Sequence, residues 1–274
     1  MRYEDGQLRR LQAVELGMLL EIGRVCAELN IEWFLDSGTA LGAARHQGFI
    51  PWDDDIDVGM LRADYDRFLE EAPALLPHNH RLCTPENTDG YAPQFAKVMR
   101  TDTVFATQET IDAGFQQGVF IDIFPYDAVS ADGALAQKQR RHCTSLQRLS
   151  YLYHSGNTVV PHKGMLGALE KMACSAAHHA VHALFTPQRI ASLFDRWARC
   201  GAADPSGDVM VMSYAQTGAL AQSVLLPCST AQFAGHELPV PGKLDVYLSW
   251  LYGDWNTLPP EDERRNHAPL QLDV

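Results

Sequence analysis

Hydrophobic and polar positions divide the chain into a strand-bearing first half and a largely helical second half. Residues 8–29 set Leu8, Leu11, Val14, Leu19, Ile22 and Leu29 at mostly helical spacing, which predicts an amphipathic helix. "NIEWFLD" changes to strand-like composition, and "SGT" interrupts it. "ALGAARHQ" predicts a short helix, "GFIP" a turn, and residues 50–60, "IPWDDDIDVGM", a strand. "RADYDRFLEEAPALL" reads as helix until Pro73 and Pro77, and "QFAKVMR" as a short strand. "GVFIDIFPYD" is a second carboxylate-bearing strand, expected to end at Pro125. From about Ala131 to Trp197 the pattern is helical apart from the loop "HSGNTVVPHKG", and short segments and turns follow. No repeat or low-complexity linker divides the sequence, so residues 1–274 are expected to form one α+β domain, a sheet wrapped by helices.

Composition narrows the partners. With 46% hydrophobic residues the 274-residue chain has ample material for a core. Its 22 basic and 34 acidic residues leave a net charge of −12, which argues against nucleic acid or an anionic membrane surface as the main partner. A phosphate bound here must be met by a metal or by a few placed cations. Six dispersed cysteines without a C-x-x-C pair read as reduced thiols. The charged start has no signal-peptide pattern, and no apolar run reaches the roughly 18 residues of a membrane span. A cytoplasmic protein is expected.

The aspartates of "IPWDDDIDVGM" supply the candidate chemistry. In a strand, Asp53, Asp55 and Asp57 project from one face while Asp54, Ile56 and Val58 take the other. Carboxylates within roughly 7 Å on one face raise one another's pKa unless a cation sits between them. An EF-hand would use Asp53, Asp55, Asp57 and Asp64, but it requires glycine where Val58 stands, so a Ca²⁺ loop is excluded. Asp122, between Ile121 and Ile123, belongs to a central strand, where a lone charge is costly without a partner. Two carboxylates on one strand and a third on its neighbour suit Mg²⁺ or Mn²⁺. Upstream, Ser37-Gly38-Thr39 joins a strand to a helix, where glycine and the helix N-terminus favour a phosphate. Arg45, read as one turn further on, offers a bidentate phosphate contact. On the motif alone, a D-x-D glycosyltransferase using a sugar nucleotide fits as well.

Taken in order, "LDSGTALGAARHQGFIPWDDDIDVGM", "FAKVMRTDT", "GVFIDIFPYD" and "LPVPGKLDVYLSWLYGDWNTLPPEDER" resemble the LicD family of the nucleotidyltransferase superfamily. That family includes bacterial phosphocholine transferases and the animal fukutin-related ribitol-phosphate transferases. The likeness runs from about residue 33 to 265: core motifs at 32–128, a helical region at 131–200 and a C-terminal motif region at 233–267. Thr39 stands where the wider superfamily often has Gly or Ser, and residues 131–225 carry no matching motif.

The resemblance implies a nucleotidyltransferase-type mixed sheet flanked by helices. It also implies Mg²⁺-dependent transfer of phosphocholine, or a related phospho-alcohol, from a CDP-linked donor to a cell-surface glycan or glycolipid hydroxyl, with release of CMP. Asp55, Asp57 and Asp122 are then the metal and catalytic residues, with Asp122 as the base. Gly38, Thr39, Arg45 and Lys97 would meet the donor phosphates. Asp53, Trp52, His46 and His267 are further candidates, His267 closing over the site from the tail. If the alcohol is choline, its quaternary ammonium requires aromatic faces. Trp52, Tyr91, Phe124, Tyr126, Trp250, Tyr252 and Trp255 stand near the motifs. Cys174, His178 and His182 share one helical face and read as packing or surface residues; the low-charge segment around them suits a peripheral membrane contact, a partner helix or burial alike.

Overall fold

The computed structural model describes residues 3, 4, 6–154, 175–264 and 266–274. The expected first helix is α1, Gln7–Leu29; it buries Leu11, Met18, Leu19, Ile22, Val25 and Cys26 and ends at Asn30 in the left-handed region (φ 51). It is followed by β1 (Phe34–Leu35), α2 (Ser37–His46), β2 (Asp57–Leu61) and α3 (Arg62–Glu71). Then come β3 (His80–Cys83), β4 (Ala96–Arg100), β5 (Val104–Ala106), α4 (Gln108–Asp112) and β6 (Phe120–Ser130). The helical stretch holds α5 (Gly133–His154), α6 (175–184) and α7 (Pro187–Ala198).

The main sheet runs β1-β2-β6-β4-β3. Only β2 and β6 are parallel within that path. Ile121, Ile123, Val58 and Met60 are fully buried on one face of β6 and β2, which α1 and α3 cover. The opposite face opens on the site. The expected α+β class is the observed one.

Three local expectations change. Residues 50–56 precede the sheet rather than forming a strand, and β2 starts at Asp57. The chain there still alternates: Asp54, Ile56 and Val58 are buried while Asp53, Asp55 and Asp57 are half-buried. Second, β6 runs through Pro125. Asp122 donates its N–H toward Ile56, so alternate residues 123 and 125 aim their N–H positions at β4. The β4 ladder ends at the Ala96–Ile123 pair, so the missing proline donor breaks no bond. Third, strands return after the helices. Strand β7 (Pro205–Met210) pairs with the far end of β6 and carries β8 (Leu220–Ala221). Helix α8 (Gln222–Leu225), the hairpin β9 (Ser229–Phe233) and β10 (His236–Val240), helix α9 (Leu244–Tyr252) and β11 (Gln271–Asp273) complete the chain. The loop 154–164 and the first part of the low-charge segment lie largely outside the described residues. Among the described residues no helix is long and apolar enough to cross a membrane. Cys26, Cys83, Cys143, Cys200 and Cys228 are free.

Gly59, two residues beyond Asp57, lies opposite Phe34. A Cβ there would sit 2.3 Å from the Phe34 ring and 3.0 Å from that of Tyr126, both buried. Gly59→Ala is expected to destabilise the fold by about 1–3 kcal/mol, seen as a lower urea midpoint with an unchanged slope.

Candidate active site

Strand register builds the centre of the site. Asp57 pairs with Asp122 across the parallel ladder, and Asp122 with Lys97 across the antiparallel one. Neighbouring strands lie about 4.8 Å apart, so these side chains share one face of three adjacent strands. The alternation of β6 sends Phe120, Asp122, Phe124 and Tyr126 to that face, where they line a cavity of about 990 Å³. Lys97 forms a buried ion pair with Asp122, and its ammonium lies 3.5 Å from the Phe120 ring centre. Burial raises the Asp122 carboxyl above its ordinary range, and Lys97 pulls it back.

The segment before β2 divides its aspartates by role. Asp54, fully buried, accepts the Tyr3 hydroxyl at 2.5 Å and the His267 backbone N–H at 2.9 Å. It anchors both ends of the chain. Gln12 on α1 donates to the Asp53 carbonyl at 2.9 Å, fixing the turn. Asp55 and Asp57 line the cavity. Burial, then mutual repulsion, raises the Asp53 and Asp57 carboxyls; Asp55 is also raised by burial, with His267 opposing. Among the described residues, the Asp57 carboxylate receives no side-chain hydrogen bond or ion pair.

Asp36 is the functional residue that the sequence reading missed. It caps α2, and its Oδ1 accepts the Ser37 N–H at 2.7 Å, the Tyr126 hydroxyl at 2.9 Å and the Tyr247 hydroxyl of α9. Its own N–H donates to the Asp57 carbonyl at 2.9 Å. Ser37 is held at φ 45, a left-handed conformation that costs a non-glycine residue about 1–2 kcal/mol. The Tyr247 hydroxyl, 3.0 Å from the Ser37 nitrogen, helps to fix it. An aspartate directly before a Ser-Gly-Thr turn is an N-cap signal, and that signal was there to find.

The other expected residues separate. Thr39 is buried, and its hydroxyl accepts the Asp57 N–H at 2.9 Å, so it joins turn to strand. Gly38 is beside the acids: a Cβ would lie 3.1 Å from the Asp53 carboxylate. Arg45 does not line the cavity; it donates to the Trp255 carbonyl at 3.0 Å. Six residues of helix beyond Thr39 carry it about 9 Å along the axis, more than the single turn expected. His46 meets the edge of Trp52 at 6.4 Å, and Arg264 lies over the Trp52 ring at 4.8 Å, all away from the cavity lining. His267 does reach the site: its Nδ1 is 3.5 Å from Asp54 and 3.8 Å from Asp55, and it lines the cavity. Of the aromatics, Phe124, Tyr126 and Trp250 line the cavity, whereas Tyr91 packs on Phe115 and Trp255 donates to Asp245. Cys174 lies outside the described residues; His178 and His182 bond to the Leu152 and Tyr153 carbonyls at 2.8 Å each.

Among the described residues, Asp36, Asp53, Asp54, Asp55, Asp57 and Asp122, with buried Glu15 behind the Asp53–Asp55 segment, thus outnumber the cations Lys97 and His267. Among the described residues, Asp54, Asp55 and His267 each bring a ligand atom within 4.8 Å of the others, whereas the expected Asp55–Asp57–Asp122 set does not converge so closely. Lys97 accounts for part of that difference by engaging Asp122. Such a surplus of oxygen donors suits a hard divalent cation.

Two tests follow from this geometry. Asp54 and its neighbours hold His267 protonated up to about pH 9, above its ordinary 6.5. The ion pair therefore stabilises fully below pH 6.5 and is lost as pH rises through 9. Because the imidazole is 76% exposed, the expected gap between wild type and His267→Gln is below about 1 kcal/mol. Urea unfolding at low and high pH should show that gap closing as pH rises. Tyr247→Phe removes one donor from a buried carboxylate and should cost about 1–3 kcal/mol in the same assay.

Comparison with known proteins follows the same residues. Residues 30–147 match the family model described as LicD/FKTN/FKRP, nucleotidyltransferase domain. Over 269 residues the chain is 29% identical to the lipopolysaccharide cholinephosphotransferase LicD of Haemophilus influenzae, with 95% of each chain covered. It is 31% identical over 107 residues to the ribitol-5-phosphate transferase FKTN of Mus musculus, covering 38% of this chain and 23% of that one. An uncharacterized protein of Rickettsia typhi is 33% identical over 81 residues, 30% of this chain and 26% of that one. The matched domain holds Asp36, Asp55, Asp57, Lys97 and Asp122, whereas Tyr247 and His267 lie beyond it.

Proposed function

The chain carries a nucleotidyltransferase domain of the LicD/FKTN/FKRP family, and on that premise we propose that it is a phospho-alcohol transferase acting on a cell-surface glycan. The donor is a CDP-linked alcohol, phosphocholine being the group moved. The acceptor is a hydroxyl of a lipopolysaccharide- or teichoic-acid-type precursor, met in the cytoplasm. The observation that carries this reading is the row Asp57–Asp122–Lys97 across three strands, opening on a cavity of about 990 Å³. The names of the LicD and FKTN relatives, both phospho-alcohol transferases, support the same reading.

Asp55 and Asp57 would hold Mg²⁺ or Mn²⁺, since their carboxylates line the cavity amid excess negative charge. Asp54 already spends its oxygens on Tyr3 and His267. When bound, such an ion supplies charge neutralisation to the donor's diphosphate. The remaining roles belong to the chain itself. Ser37, at the N-terminus of α2, lines the cavity, and the positive end of that helix draws the phosphates toward the acids. Lys97 keeps Asp122 ionised and adds positive charge at the phosphate being transferred. Asp122 takes the proton of the attacking hydroxyl as its oxygen bonds to the β-phosphorus. The phosphorus–oxygen bond to CMP breaks, and CMP leaves with that electron pair.

Wild-type protein with Mg²⁺ and CDP-choline should release CMP, and a chelator should abolish turnover. Asp55→Asn and Asp57→Asn are each expected to lower kcat by at least about 100-fold, or about 2.7 kcal/mol. Asp122→Asn should lower kcat by about 10²- to 10⁴-fold with little change in KM. Wild-type rates in the first two would overturn the metal assignment. Release of a nucleoside diphosphate would indicate a glycosyltransferase, and pyrophosphate a nucleotidyltransferase proper.

A further inference from the structure

The strand that returns after the helices carries Tyr214 to the acids. Strand β7 runs antiparallel to the far end of β6, with Met210 opposite Asp127. The chain leaving β7 therefore travels back along β6, from Asp127 toward Phe124 and Asp122. It does so as the 3₁₀ turn Met212–Thr217, in which Met212, Ser213 and Ala215 are buried. Tyr214 interrupts that turn with non-helical angles (φ −123, ψ 46) and lines the cavity, 37% exposed. Its ring centre is 5.6 Å from that of Phe124, nearly at right angles, and 5.9 Å from that of Phe95, both buried. These two rings flank the central ion pair. Phe124 is two residues from Asp122 on the same face of β6, and the Lys97 ammonium lies 5.5 Å from the Phe95 ring centre.

Packing fixes the phenol, but nothing engages its oxygen. The hydroxyls of Tyr126 and Tyr247 donate to Asp36, and that of Thr217 donates to the Tyr214 carbonyl at 2.8 Å. Among the described residues the Tyr214 hydroxyl makes no hydrogen bond. Burial, then Tyr151, Asp122, Asp57 and Asp55, raises the phenol above its ordinary 10, so it keeps its proton and stays a neutral donor. No bond has to break before that donor meets a ligand. In phosphoryl transfer, negative charge spreads over the three equatorial oxygens of the moving group. A positioned neutral donor favours that state, and it adds no charge for the neighbouring carboxylates to capture. Lys97 shows the alternative, its ammonium engaged by Asp122.

Resting on the phosphotransfer reading above, we infer that Tyr214 is a catalytic residue whose hydroxyl donates a hydrogen bond to a non-bridging oxygen of the phosphoryl group in transit. Tyr214 lies beyond the matched span 30–147, so the chain outside that domain supplies part of the machinery.

The experiment compares full-length wild type, Tyr214→Phe and Tyr214→Leu with Mg²⁺ and CDP-choline. Tyr214→Phe, which removes one oxygen and keeps the ring, should lower kcat for CMP release about 100-fold. Its calorimetric affinity for CDP-choline should be unchanged, because the bond is made in the transition state. Its urea midpoint should equal or exceed that of wild type, since the hydroxyl removed has no partner. Tyr214→Leu, which also removes the ring, should lose at least as much in kcat. Three results would overturn the inference while leaving the phosphotransfer reading in place. They are wild-type kcat in either variant, a loss confined to CDP-choline affinity, and a lowered urea midpoint in Tyr214→Phe, which would make the hydroxyl a structural partner. Failure of wild type to release CMP would remove the phosphotransfer reading and this inference together.

Discussion

Parallel pairing of β2 with β6 sets Asp57 beside Asp122, and the site is arranged around the repulsion this creates. Two carboxylates this close on adjacent strands, one buried and one half-buried, are tolerated only if something offsets the cost of withdrawing their charges from water. Lys97, contributed by the antiparallel neighbour β4, answers Asp122 from the other side. Asp57 has no such partner among the described residues, and Asp55 beside it is opposed by His267 and, more weakly, by Lys97. The shortfall in positive charge is thus local. It opens on the cavity, where a cation and an anionic donor can enter together.

The same acids bind the ends of the chain to the domain. Asp54 receives Tyr3 from before α1 and His267 from the tail, while Asp36 receives Tyr247 from α9. Arg45 on α2 ties the helix to the Trp255 carbonyl. Residues outside 30–147 therefore complete a site whose acids lie within that span. Removing the α9 contact would leave Asp36 with fewer donors in a buried position and would release the Ser37 turn that it clamps. Stability of the tail and order in the Ser-Gly-Thr turn are coupled through one carboxylate.

Much of this was legible in the residues. The stripe of α1, the Ser-Gly-Thr turn and the interior position of Asp122 each follow from a local rule of period, turn chemistry or the cost of burying charge. Alternation of Asp53, Asp55 and Asp57 survived even though Asp53 and Asp55 precede the strand, which starts at Asp57. Less legible were features set by distant partners. Pro125 looked like a strand end because local sequence does not say that the neighbouring ladder stops at Ile123. Arg45 looked like a phosphate ligand because a motif gives a residue type but not its distance along a helix axis. Asp36 was overlooked because its importance comes from two tyrosines 90 and 211 residues away.

By itself, then, the sequence determined the kinds of chemistry on offer: a cluster of oxygen donors, a helix-capping turn and alternating faces, all properties of neighbours along the chain. Tertiary structure decided which groups meet. It set Asp57, Asp122 and Lys97 in one row, assigned Asp54 to anchoring, and placed Tyr214 beside Phe124 across 90 residues. The physical reason is that charge repulsion, desolvation and ring contact act through space over a few ångströms, and strand register rather than sequence separation fixes those distances.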